Sequence, residues 1–155
     1  MIKTSDVKSE EILQQMIDRF WETIPPVWNH VKKNVAMTAA EHFGITIEQF
    51  HILRHVRKGV GSVSELANVK QISRSAISQA LDALVEKGLI TRTHETEDRR
   101  YVKLELTPSG CDLLQAIFEK NRAWMMDQMD ELSPEELDML IQSMTLLKKT
   151  FIKTN

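Results

Sequence analysis

The sequence predicts a mainly α-helical fold with a small β-wing. Apolar residues recur at steps of three and four over much of the chain, as on the buried face of an amphipathic helix. From Tyr101 to Thr107 the pattern changes to alternating polar and apolar residues, which is typical of a half-buried strand. Two short helices followed by a hairpin with a charged loop indicate a winged helix-turn-helix, and longer helices are expected on both sides of it.

The first 44 residues predict two helices. Residues 12–24 place apolar side chains on one face, and Pro25 and Pro26 are expected to break or kink that helix, because proline has no N–H to donate. A second helix is expected to begin at Pro26, which suits a first turn, and to run toward Phe43 and Gly44. The next helix, which would support the central module, is marked by Ile47, Phe50, Leu53 and Val56.

Local signals predict the two short helices of the central module. Ser62 and Glu65 form a capping-box pair that predicts the first helix start. Asn68–Ile72 is polar enough for a turn, Ser73 is a good N-cap for the second helix, and Gly88 is expected to end it. The apolar side of this second helix carries Ile77, Leu81, Leu84 and Val85, and the opposite side carries Arg74, Ser75, Ser78, Gln79 and Asp82.

The remaining elements are a hairpin and two helices. Leu89–Thr93 is expected to pair with Tyr101–Thr107 across a highly charged loop. Pro108 predicts a helix start, and Ser133–Glu136 is a capping box that opens the last helix. These terminal helices carry more apolar surface than a small winged module needs, so we expect them to pair with a second copy of the chain. The expected organisation is a single domain, 1–155, with a winged helix-turn-helix at 45–107 and dimerisation helices at 1–44 and 108–155.

Charge is distributed unevenly along the chain. The whole chain has 20 basic and 22 acidic residues, yet residues 54–103 hold ten basic and six acidic ones. No acid lies between Glu65 and Asp82, whereas Asp127–Asp138 holds six acids and no base. A cationic middle between anionic flanks favours phosphate contact through the middle alone, and argues against a protein that coats nucleic acid indiscriminately.

The predicted second helix has the chemistry of a recognition helix for double-stranded DNA. Arg74 can pair bidentately with guanine, Gln79 can pair with adenine, and the Ala76 methyl can contact a thymine methyl. Arg99 and Arg100 of the charged loop are expected in the minor groove or on phosphate. The alternative is that these side chains are merely solvated. Ser75 and Ser78 of the same helix are further expected DNA contacts. Arg92 and Lys103 are expected to contact the DNA backbone.

The central stretch resembles the multiple-antibiotic-resistance regulator (MarR) family of bacterial and archaeal transcription factors. The resemblance covers residues 45–153 well and the first 44 residues loosely. The matching segments are Ser64–Ala67, Ser73–Ser78, Leu84–Ile90, Asp98–Arg100 and Leu104–Gly110, and helix 134–153 looks like the family's last helix.

The resemblance implies a sequence-specific regulator that binds a near-palindromic operator as a homodimer, with repression as the default because a dimer across a promoter excludes polymerase. The family's wing carries an Asp-x-Arg pair, which falls on Asp98 and Arg100; in the family the acid helps to hold the wing and the arginine contacts DNA. The chain departs from the family at Lys70 and Gln71, where an apolar residue and then glycine are usual. Val69 is expected to pack in that turn instead.

The resemblance also implies a small aromatic or anionic effector bound between the dimerisation helices and the winged module. Candidate pocket residues are Trp21, Trp28, His30, His51 and His55. The alternative for the two tryptophans is plain core or dimer packing. His51 and His55 are spaced i, i+4 on one helix, a spacing that could hold a metal. No acid pair or cysteine completes a site, so no metal or cofactor is expected.

Other classes of function lack support in the sequence. No Ser-His-Asp arrangement, glycine-rich phosphate loop or metal-ligand cluster favours an enzyme. The lone Cys111 is interpreted as a packing residue. Residues 1–10 are polar and no apolar run approaches the ~18 residues of a membrane span, so we expect a cytoplasmic protein. The alternative that remains is a winged-helix module for protein contact, which would show neither salt-sensitive nor sequence-specific binding to DNA.

Overall fold

The computed structural model describes residues 4–94 and 102–152. Within these residues it contains six helices and one antiparallel hairpin, so the predicted fold class is confirmed. The elements are α1 (Thr4–Phe43), α2 (Ile47–Arg57), α3 (Val63–Lys70), α4 (Arg74–Glu86), β1 (Ile90–His94), β2 (Val102–Leu106), α5 (Pro108–Gln128) and α6 (Pro134–Phe151).

Helix α1 is a single helix of 40 residues that contains both Pro25 and Pro26. The expected division of this region into two helices is therefore wrong. Each proline removes one N–H donor from the helix, but its fixed φ is close to the helical value. Helix-period apolar residues continue on both sides of the prolines, and the continuous helix keeps them in one stripe along α1.

Side-chain caps fix where most of the other helices begin. Ser73 accepts a hydrogen bond from the Ala76 N–H at 3.2 Å, as expected of an N-cap. The capping box of Ser133 and Glu136 is also confirmed, with both reciprocal hydrogen bonds present. A second capping box, formed by Thr46 and Gln49 at the start of α2, was not among our predictions, although Thr-x-x-Gln is its sequence signature.

The cap of α3 differs from the expected box. Ser62 accepts from the Glu65 N–H at 3.2 Å, but the Glu65 carboxylate accepts from the Gly61 N–H at 3.0 Å rather than from Ser62. This carboxylate therefore ties down the residue that precedes the cap. Gly61 has a second role, because its carbonyl oxygen accepts from the Leu104 N–H at 3.0 Å and so links the entry to α3 with strand β2.

The turn between α3 and α4 is tighter than expected, because α3 continues to Lys70. Gln71 then takes the left-handed conformation with φ 53°, the only positive φ of a non-glycine residue in residues 4–94 and 102–152. Val69 is 54% exposed, so the expectation that it packs in the turn is wrong. Lys70 instead lies against α2, where its ammonium is 3.3 Å from the Glu48 carboxylate.

Substitutions at Gln71 should follow the cost of a left-handed backbone. A side chain with a Cβ is disfavoured there by about 1–2 kcal/mol, and a β-branched one more so. We expect Gln71→Gly to be as stable as the wild type or more so, and Gln71→Val to lose roughly 1–2 kcal/mol. Urea unfolding of the two variants checks this order, and a valine variant as stable as the glycine one would contradict the assigned conformation.

The hydrophobic core lies among α2, α3, α4, the hairpin and the first part of α5. In the hairpin, Ile90 is paired with Leu106 and Arg92 with Leu104. Asn34 of α1 donates to the Asn121 side-chain carbonyl at 2.9 Å, and Asn121 in turn donates to the Ile117 carbonyl. The side chains without measurable exposure are Leu53, Leu66, Ile77, Leu81, Leu84, Leu114 and Ile117, together with Ala39 of α1.

The chain forms two compact units, Met1–Asn121 and Arg122–Asn155. In the first unit α1 leaves a stripe of large apolar side chains at least two-fifths exposed, namely Ile12, Leu13, Met16, Ile17, Trp21, Val27 and Trp28. In the second unit α6 has no buried residue, and its exposed apolar side chains are Met139, Leu140, Ile141, Met144, Leu146 and Phe151. Among the described residues, no helix is long and apolar enough to cross a membrane.

Candidate nucleic-acid interface

Helix α4 presents the predicted base-reading side chains outward. Arg74, Ser75, Ala76 and Gln79 are exposed, and Ser78 is half-buried. The opposite side of the helix is anchored in the core by Ile77, Leu81 and Leu84, which are completely buried. Val85, which helical spacing places on the apolar side, is 36% exposed. The anchored side fixes the direction in which the polar side points.

The N-terminus of α4 is electrostatically suited to phosphate. Its first turn contains no acidic residue, so the positive end of the helix dipole is not neutralised there. Ser73 caps the helix and its hydroxyl oxygen lies 3.0 Å from that of Ser75, which holds both hydroxyls at the helix start. Within the described residues, neither Arg74 nor Gln79 has a side-chain hydrogen bond or ion pair, so both are available to a ligand.

The two wing side chains predicted to contact the DNA backbone, Arg92 and Lys103, each form an ion pair within the protein. The Arg92 guanidinium is 2.7 Å from the Asp82 carboxylate of α4. The Lys103 ammonium is 2.8 Å from the Glu105 carboxylate, and this pair is half exposed. The three remaining predicted DNA contacts, Asp98, Arg99 and Arg100, lie outside the described residues.

Sequence and structure comparisons identify this arrangement. The sequence model of the MarR family matches residues 45–102. YpoP of Bacillus subtilis (strain 168), an uncharacterized HTH-type transcriptional regulator, is 36% identical over 102 residues, which are 65% of this chain and 72% of YpoP. The chain belongs to the MarR family.

Two further relatives of this MarR-family chain extend the likeness. MdtR, an HTH-type transcriptional repressor of the same Bacillus subtilis strain, is 33% identical over 102 residues, covering 65% of this chain and 66% of MdtR. The crystal structure of YusO from Bacillus subtilis is 26% identical, with a TM-score of 0.71 over 88% of this chain and 96% of YusO. The chain is therefore a DNA-binding transcriptional regulator of the MarR family rather than an enzyme.

The candidate effector residues lie on two helices. Trp21 and Trp28 are 68% and 58% exposed on α1, where they stand two helical turns apart, and the exposed His30 follows them. His51 and His55 are half-buried on α2. Among the described residues, no group of three or more histidine, cysteine, aspartate or glutamate side chains could hold a metal ion. An effector pocket at these positions stays a prediction.

Burial lowers the pKa of His51 and of His55, and the nearby Lys70 ammonium lowers both further. Both imidazoles therefore bind a proton less readily in the folded chain than in the unfolded chain. Just below the ordinary pKa of 6.5, the unfolded state holds more protons. The free energy of unfolding should consequently fall as the pH drops from neutral through that value toward the lowered pKa values.

The contribution of Lys70 can be tested by neutralising it. In Lys70→Met the pKa of His51 and of His55 should rise but stay below 6.5, because burial, the larger cause, remains. An NMR titration of the imidazole resonances measures both values. Lys33→Met, which removes an exposed ammonium from α1, serves as the control. Unchanged histidine titrations in Lys70→Met would show that the ammonium does not act on these rings.

Proposed function

We propose that this chain is a ligand-responsive repressor that binds a near-palindromic operator as a homodimer. The observation that carries the proposal is the orientation of α4. Its core side chains are fully buried, its first turn lacks acids, and Arg74, Ala76 and Gln79 are exposed. A helix held in this way can enter a major groove and meet base edges with its N-terminal residues.

Homodimer formation is supported by large apolar surfaces on α1 and α6 that would be exposed to water in a monomer. The stripe on α1 and the exposed apolar side chains of α6 each exceed the scattered apolar residues usual on a monomer's surface. A two-fold dimer would present two copies of α4 to successive major grooves, about 34–36 Å apart. The operator would then mirror the symmetry of the protein, which is the basis for a near-palindrome.

Repression is supported by the likeness to MdtR, whose name describes a transcriptional repressor. A dimer bound across a promoter would exclude polymerase, and such a regulator would act in the cytoplasm of a prokaryotic cell. In the proposed complex Asp98 helps to hold the wing, and Arg99 and Arg100 contact the minor groove or phosphate.

A small aromatic or anionic effector would release the operator by altering the spacing of the two recognition helices. The side chains proposed to meet it are aromatic or imidazole groups, which stack on rings and donate hydrogen bonds to anions. They are Trp21, Trp28, His30, His51 and His55.

Duplex selection with the purified chain at two salt concentrations tests the proposal, together with sedimentation of the free protein. We expect a dimer that selects a near-palindromic duplex over a scrambled one and loses affinity steeply as salt rises. A monomer, or a dimer with no preference among duplexes, would overturn the proposal. Weak binding without salt dependence would instead favour a winged-helix module for protein contact.

A further inference from the structure

We propose that Arg92 is a positioning residue for DNA binding, not the phosphate contact expected from the sequence. Its ion pair with Asp82 holds the base of the wing against the recognition helix. This inference rests on the proposed binding of DNA through α4 and the wing, and it adds a role for two residues that face each other rather than the duplex.

The strand register places Arg92 on the inner side of the hairpin. Arg92 is paired with Leu104, and directly opposed residues of an antiparallel pair point to the same side. Leu104 is only 3% exposed, so that side faces the core. Thr91 and Thr93, which alternate with Arg92 along β1, are exposed on the other side.

From this inner side the guanidinium reaches α4. Its Nη1 atom is 2.7 Å from Oδ1 of Asp82, a distance typical of a charge-assisted hydrogen bond. The Arg92 side chain is 32% exposed, which is less than the 64% of Asp82. Asp82 stands one helical turn after Ser78 and Gln79, so the ion pair joins the wing to the side of α4 that carries the proposed base-reading residues.

The ion pair of Arg92 and Asp82 helps to set the orientation of the hairpin. A two-stranded hairpin has little stability of its own, so its orientation depends on what ties it to the rest of the fold. Two backbone hydrogen bonds hold it: the Leu104 N–H in the middle of β2 donates to the Gly61 carbonyl, and the Thr107 N–H donates to the Leu89 carbonyl at the open end of the hairpin. Arg92 lies opposite Leu104, so its ion pair with Asp82 adds a side-chain tie from β1 at the same level, directly onto the helix that must enter the groove with the wing.

The ion pair also changes the charge of the surface that is expected to meet phosphate. Asp82 brings a negative charge to the surface expected to meet phosphate, and the Arg92 guanidinium neutralises it. A phosphate contact by Arg92 would have to compete with this carboxylate. The two roles therefore predict opposite signs when the acid is removed.

The test measures affinity for the selected duplex in Asp82→Ala and in Glu86→Ala. Glu86 is an exposed acid one turn further along α4, and the described residues include no ion pair to it, so it is a matched control for the loss of one negative charge. If Arg92 positions the wing, Asp82→Ala should weaken binding by about 3- to 10-fold, whereas Glu86→Ala should strengthen it slightly. If Arg92 is a phosphate contact, both variants should bind more tightly, and the inference fails.

A charge-reversed pair keeps the test independent of folding defects. Arg92→Asp combined with Asp82→Arg should recover most of the affinity that either single change removes, and the salt slope of the double variant should match that of the wild type. Failure of the double variant to bind while urea unfolding shows it to be as stable as the wild type would overturn the inference. A wild-type chain that selects no duplex would refute the proposed function itself, which is a separate outcome.

Discussion

Replacing Gly110 with alanine should destabilise the protein by about 3 kcal/mol or more, the largest stability effect that we expect from a single methyl group. Gly110 is buried in the first turn of α5, where the helix passes the backbone of Leu89. A Cβ at this position would overlap the Leu89 carbonyl oxygen and lie 3.0 Å from the carbonyl carbon. Both atoms belong to the backbone, so no side-chain rotation can relieve the clash.

Moving α5 away from Leu89 is costly, because Leu89 and Thr107 also form the hydrogen bonds that close the end of the hairpin. The Leu89 carbonyl accepts from the Thr107 N–H at 3.1 Å, and the Thr107 hydroxyl donates to the Gly88 carbonyl at 2.6 Å. The Thr107 hydroxyl oxygen also accepts from the Gly110 N–H at 3.0 Å. A shift of α5 that made room for a methyl group would strain all three hydrogen bonds.

Urea unfolding at one fixed protein concentration measures the loss, since dimer formation would make stability depend on concentration. Cys111→Ala is the matched control, because Cys111 is the next residue of the helix and is exposed. The interpretation of Cys111 as a packing residue is therefore wrong. We expect the control to lie within ±0.5 kcal/mol of the wild type. A Gly110→Ala variant as stable as that control would show that the helix and strand do not approach each other as described.

Local chemistry made the middle of the fold predictable. The start of α4 follows from Ser73 alone, because a hydroxyl that accepts from an orphan N–H is a signal contained in four consecutive residues. The buried residues Ile77, Leu81 and Leu84 follow from helical spacing in the same way. Both predictions depend on neighbours in the sequence and need no knowledge of the tertiary structure.

The predictions that were wrong concern competition between local preference and the rest of the fold. Pro25 and Pro26 disfavour a continuous helix locally, but forty residues of helix with apolar spacing on both sides override them. Gln71 has no special tendency toward positive φ, so its left-handed turn could not be read from its residue type. The position could only be suspected because glycine is usual there in the family it resembles.

Contacts between different helices and strands could not be predicted from the sequence. Asp82 and Arg92 are ten residues apart, one on a helix and one on a strand, and their meeting depends on the strand register and on the packing of the hairpin. The role of Gly110 is similar, since only the tertiary structure places it against Leu89. The DNA contacts predicted on α4 are placed on an exposed surface, and their role stays a prediction.

Replacing Arg74 with alanine should weaken binding to the selected operator by about 1–3 kcal/mol, roughly 5- to 150-fold, and relax the preference for one base pair. Arg74 is the first residue of α4, is exposed, and has no hydrogen bond or ion pair to another described residue. Its guanidinium can therefore present two parallel N–H donors to the major-groove edge of guanine. Competition binding with the selected duplex and a scrambled one measures both effects.

Arg74→Lys separates base reading from phosphate contact, because lysine keeps the positive charge but loses the planar pair of donors. If Arg74 reads a base, the lysine variant should keep nearly the wild-type affinity for the scrambled duplex and nearly the wild-type salt slope. It should still lose most of the preference that alanine loses, since that preference depends on bidentate geometry. A lysine variant that discriminates between the duplexes as well as the wild type would place the Arg74 charge on the DNA backbone and assign base recognition on α4 to other residues, with Gln79 as the next to test.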